Sequence, residues 1–182
     1  SEEIIGCFPG CKDVTCLIDG AHFLREGWQK IARDVWHAPE EICARLAGED
    51  LVFGCLQALR ARHKEVKLGF VCSSRDALLA QGQCFFAEGE MQFHKLYGEK
   101  VRRDLAAFVE GCKRQIGAMY FYIYDAPSAE APGACDLTQH CVIASANAFE
   151  ICSDGIKVMA WLKNLIEGRS GDVGLSLLTE EQ

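Results

Sequence analysis

Asp13-Val14-Thr15-Cys16-Leu17-Ile18-Asp19-Gly20-Ala21-His22 is the stretch that decides the fold class. An apolar run with β-branched residues stops abruptly at an aspartate and a glycine. That is the pattern of a buried parallel strand meeting a loop. In open α/β sheets, ligands bind at the carboxyl ends of the strands. A carboxylate at residue 19 is therefore placed to hold a metal ion or a hydroxyl. The plainer reading is a turn aspartate followed by a flexible glycine.

Outward from this strand, residues 23–35 read as a helix or helical turn. Pro39-Glu40-Glu41 reads as a helix start, with proline early and acids in the first turn. Leu51, Val52, Cys55, Leu56 and Leu59 recur at helical spacing, which predicts a helix over 50–63. A strand over 66–72 follows, closed by Ser73-Ser74-Arg75-Asp76 with turn and N-cap chemistry. Gly82, Gly89 and Gly98 interrupt residues 82–98, whose state the pattern does not decide. Val101, Leu105, Phe108, Val109, Cys112 and Ile116 form the clearest amphipathic helix. Residues 118–124 read as an aromatic-rich strand, ending in Asp125-Ala126-Pro127. Further strands are expected over 140–145 and 156–161, then a short helix through Leu165 and Ile166 and a last apolar stretch over 173–178. Strands alternating with helices predict an α/β fold with a mostly parallel central sheet flanked by helices, Rossmann-like. The 182 residues suit one domain over 1–182.

Composition narrows the function classes. Half the chain is hydrophobic (49%) and a quarter charged, which is globular and not disordered. The net charge of −7 argues against a broad basic footprint for nucleic acid, although Arg102, Arg103, Lys113 and Arg114 could supply a local one. No apolar run approaches the roughly 20 residues that span a membrane, and Ser1-Glu2-Glu3 carries no basic leader. The eleven cysteines, an odd number, are spread through apolar segments. They read as mostly buried, reduced thiols of a cytoplasmic protein, with no disulfide framework. Two groups invite a zinc reading: Cys7, Cys11, Cys16 with His22, and Cys135, His140, Cys141. Neither holds the C-x2-C pair typical of structural zinc, so zinc is the lesser expectation.

Four aspartates follow or flank predicted strands: Asp19, Asp125, Asp154 and Asp172. Acids converging at one sheet edge would suit Mg2+ or Mn2+, since hard cations take oxygen ligands. Asp154, within Ser153-Asp154-Gly155, is better read as a turn. His22 could act as acid, base or ligand, and Ser73 and Ser74 could bind a phosphate at the following helix. Tyr120, Phe121, Tyr122 and Tyr124 could stack bases, but in an alternating strand they read as core. Neither a nucleophile-elbow serine motif nor a P-loop nor a dinucleotide fingerprint is present.

Leu17-Ile18-Asp19-Gly20-Ala21-His22-Phe23-Leu24 resembles the first-strand motif of NYN domains, relatives of the PIN-like ribonucleases. There an apolar strand runs into Asp-Gly and usually an asparagine; this chain has His22. Tyr122-Ile123-Tyr124-Asp125-Ala126-Pro127 resembles the second-strand end of some members. Gly171-Asp172-Val173-Gly174 is similar to their Gly-x-Asp-Val helix start. Ile143-Ala144-Ser145-Ala146-Asn147-Ala148-Phe149 is loosely similar to their late acidic strand end, with Ala146 and Ala148 where acids stand. The resemblance implies a metal-dependent ribonuclease, or a degenerate RNA-binding relative. Asp19, Asp172 and Asp125 would be catalytic, Asp19 and Asp172 would bind the metal, and His22, Ser73 and Ser74 would bind substrate. Two other classes stay open. One is a non-enzymatic α/β interaction module that binds a protein partner or a second copy of itself. The other is a cysteine-rich zinc or thiol regulator.

Overall fold

The computed structural model describes residues 5, 7, 10–11, 13–46 and 48–179; the Ser1-Glu2-Glu3 start lies outside them. Three strands form a parallel sheet in the order β1 (Thr15–Asp19), β2 (Lys67–Ser73), β3 (Met119–Tyr124). The first two crossovers carry helices, as parallel pairing requires. Between β1 and β2 run α1 (Trp28–Asp34), α2 (Glu40–Arg45) and α3 (Leu51–Arg62). Between β2 and β3 run α4 (Ala77–Glu88) and α5 (Lys95–Gln115). After β3 come a hairpin, β4 (Cys152–Ser153) with β5 (Ile156–Lys157), and α6 (Val158–Ile166). Val173 then bridges Tyr122 in parallel and extends the sheet edge beyond β3.

Pleating sorts the side chains onto two faces. Cys16, Ile18, Leu68, Phe70, Cys72, Phe121 and Ile123 pack against α3, α4 and α5. Leu17, Val71, Tyr122 and Tyr124 pack against Trp161 and Leu165 of α6, with Val142, Ile151 and Val173. The approach of α6 is close enough to require glycine in β2. A Cβ on Gly69 would lie 2.3 Å from Leu165 Cδ2 and 3.1 Å from Trp161 Cη2.

The mixed α/β class with a parallel sheet is as expected, and its strands fall in the expected Asp13–His22, 66–72 and 118–124 segments. Residues 140–145 form bends and turns instead of a strand. Their amides bond Asp19 or local carbonyls, and Val142 plugs the α6-side core. Residues 156–161 contribute only two strand residues before α6 begins, because Val158, Trp161 and Leu165 have helical spacing. The helix expected over 23–35 is confined to Trp28–Asp34. Between 82 and 98, α4 continues to Glu88, where Gly89 caps it with φ +83°. Among the described residues no helix is long and apolar enough to cross a membrane.

Candidate functional site

Asp19 ends β1, and Asp76 follows β2 by three residues, so both reach the carboxyl edge of neighbouring parallel strands. Asp76 is fully buried and has two tasks. Its Oδ1 accepts the Leu79 N–H at 3.0 Å and caps α4. Its Oδ2 also lies 2.9 Å from His140 Nδ1. The loop after β3 carries His140 to this point. Arg75 and Thr138 exchange hydrogen bonds, the Gln139 N–H donates to the Ala126 carbonyl, and the Tyr124 hydroxyl donates to the Gln139 carbonyl at 3.0 Å.

The other imidazole nitrogen, His140 Nε2, lies 3.1 Å from Cys141 Sγ. A carboxylate beside Nδ1 keeps the neutral ring's proton there and leaves the Nε2 lone pair facing the thiol. A buried acid, an imidazole and a thiol therefore form one hydrogen-bonded line. This is the orienter–base–nucleophile order of covalent acyl-transfer sites. Hydrogen bonding to Asp76 raises the His140 pKa above its ordinary 6.5, against the opposing effect of burial; the charges of Asp76, Asp19 and Glu130 add to the rise. Burial pushes the Cys141 thiol up to about 11, helped by the Asp19 and Asp76 charges. Cys141 is thus a neutral thiol near neutral pH. Cys141 holds a left-handed backbone, φ 49°. A cavity of about 660 Å3 opens against His140, bordered by Ala77, Leu78, Glu130, Gln139 and Asn147; Cys141 itself is not among its lining residues.

The other anticipated residues lie elsewhere. Asp125 is held by Arg75 at 3.0 Å. Asp172 is held by Lys113 of α5 at 2.7 Å and accepts the Phe121 N–H at 3.1 Å. Asp19, Val71, Tyr122 and Val173 share one row across the sheet. Asp172 is therefore about 14 Å from Asp19 along that row, at three strand spacings. It is also engaged from the α5 side, whereas Asp19, in phase with Leu17, is on the α6 side. Asp125 and Asp172 are thus each paired with a cation, whereas the Asp19 carboxylate accepts the Val142 and Ile143 amides. No group of three or more metal-ligating side chains is assembled among the described residues.

His22 is buried 4.4 Å from the Phe108 ring and bonds Asp50 at 3.1 Å, away from Asp19. It lines a separate cavity of about 220 Å3 with Asp50, Phe53 and Asp104. The Ser73 and Ser74 hydroxyls are fully buried at the end of β2 and border neither of these cavities. Asp154 is a turn residue at φ 47°, and its carboxylate accepts the Gly174 N–H at 2.6 Å.

All eleven cysteines are unbridged thiols. Only Cys43, Cys72, Cys84 and Cys112 are buried, so the expected burial of most of them is corrected; Cys55, placed in the core by its helical spacing, is exposed. The sequence reading missed Asp76 as a functional residue, because its N-cap role accounts for its position. It grouped His140 with Cys141 only as metal ligands. The adjacency of a histidine and a cysteine was the local signal; nothing local tied them to an acid 64 positions earlier. Comparison with models of known families, with curated proteins and with solved structures gives no match to this chain.

Proposed function

We propose that this chain is an acyl-transfer enzyme with a cysteine nucleophile, acting on an ester, thioester or amide. The observation that carries the reading is the continuous line from buried Asp76 through His140 to Cys141, at 2.9 and 3.1 Å. Sγ attacks the acyl carbon as its proton passes to His140 Nε2. The leaving group then takes that proton as its bond to carbon breaks, leaving a thioester on Cys141. Water, deprotonated by the same imidazole, releases the acid and restores the thiol. Asp76 orients the ring and stabilises the imidazolium that forms. The parallel sheet, with helices on both faces, supports a Rossmann-like single domain, and eleven unbridged thiols support a reducing, cytoplasmic setting.

The test uses p-nitrophenyl acetate and site-resolved mass spectrometry. The expected result is one acetyl group on Cys141, absent from Cys141→Ser. Labelling of exposed Cys7, Cys11 and Cys152 with none at Cys141 overturns the reading.

A second reading, the NYN/PIN-like ribonuclease or its RNA-binding relative, rests on Asp19 at the carboxyl end of a parallel strand with Asp76 after the next. It predicts RNA binding, or Mg2+- or Mn2+-dependent cleavage, that Asp19→Asn removes. Wild-type protein that neither binds nor cleaves RNA contradicts it.

A further inference from the structure

We infer that Asp19 is a positioning residue for the Cys141 nucleophile, and that Gly20 provides the clearance in which the thiol meets His140. This rests on the thiol reading above and assigns a role to the chain's most conspicuous sequence feature.

Two independent observations carry it. The first is a clamp. The Asp19 carboxylate accepts the Val142 N–H at 3.0 Å and the Ile143 N–H at 2.8 Å, from the two residues that follow Cys141. Bonds of this kind, to a charged acceptor, are stronger than neutral ones. The Asp19 backbone carbonyl oxygen also lies 3.5 Å from Cys141 Sγ. A non-glycine residue in the left-handed region persists only where its surroundings over-determine it. Cys141 is such a residue, and the clamp holds the chain just beyond it.

The second observation is space. Gly20 has φ +64°, and its amide is fixed to the Val71 carbonyl at 2.9 Å. A Cβ there would lie 2.8 Å from Cys141 Sγ, 3.0 Å from His140 Cε1 and 3.2 Å from His140 Nδ1. Any larger residue would push into the thiol–imidazole contact from beneath. Asp-Gly at this strand end thus serves two purposes: the acid grips the nucleophile loop, and the glycine leaves room for its chemistry.

The clamp also has an electrostatic side. The Asp19 charge contributes to the upward shifts of both His140 and Cys141. Neutralising it should lower both values, moving the pH–rate profile toward acid. A purely structural anchor would change the amount of active protein and leave the profile in place.

The experiment measures acetyl transfer from p-nitrophenyl acetate to Cys141 against pH and ester concentration, in wild type, Asp19→Asn and Gly20→Ala. The saturating rate should fall about 10–100-fold in Asp19→Asn, the loss expected from a nucleophile displaced by about an ångström. KM should barely change and the profile should move to lower pH. Hydrogen exchange at the Val142 and Ile143 amides should accelerate in Asp19→Asn. Gly20→Ala keeps the carboxylate and should lose the rate without that acidic displacement, so it decides the matter if Asp19→Asn does not fold. Wild-type rate and profile in Asp19→Asn, or wild-type rate in Gly20→Ala, overturns the positioning role while the thiol reading stands. No adduct on Cys141 in the wild type overturns both.

Discussion

Two regions of this sheet carry acids near strand ends, and they differ in what answers each charge. On the α5 side, Asp125 and Asp172 meet cations, Arg75 and Lys113. By contrast, Asp19, on the α6 side, meets two backbone amides, and buried Asp76, just beyond β2, meets an imidazole and the N-terminus of α4. A carboxylate matched to a lysine or arginine is engaged mainly by that pair, although Asp172 also accepts the Phe121 N–H. A carboxylate that grips amides or an imidazole fixes the position of something else, here the segment bearing Cys141. Only Asp19 lies within a strand, where its phase with Leu17 turns it to the α6 layer.

The contrast predicts unequal costs. Asp76→Ala removes a helix cap and a buried charge-assisted bond together, and should destabilise the protein by about 2–4 kcal/mol in urea titration. A loss under ~0.5 kcal/mol would mean that Asp76 does not organise the site. The same pair gives a pH dependence. Because His140 is raised in the folded state, its contribution is complete below its ordinary 6.5 and is lost as pH rises through the raised value. Stability should therefore fall with rising pH across that window, and Asp76→Asn should flatten the fall. Asp172→Asn should cost least, about 0.2–1 kcal/mol, since its lysine partner is partly exposed. It should leave acylation of Cys141 unchanged; a slowed reaction there would erase the distinction between the two faces.

What the sequence made legible follows the same physics. Residues 119–124 and the helix through Val101 and Cys112 carry long, regular periodicity, and both appear where expected. The 140–145 segment misled because Cys141, Val142 and Ile143 look like a strand. The Val142 and Ile143 side chains serve the core, but their amides answer a carboxylate 123 and 124 residues away. Asp19 was legible as important and not in its role, because its partners are backbone groups that no residue type announces. Asp76 was legible as a cap, which it is. Its second partner, His140, comes from a loop that only tertiary contacts position.

The most direct test of the central claim is the site-resolved rate of acetylation at Cys141, compared with exposed Cys152 in the same sample, in wild type and His140→Gln. The account predicts that Cys141 outpaces Cys152 in the wild type and slows about 10²–10⁴-fold without its base, with Cys152 unaffected. Equal rates at the two cysteines, or an unchanged Cys141 rate in His140→Gln, would contradict it.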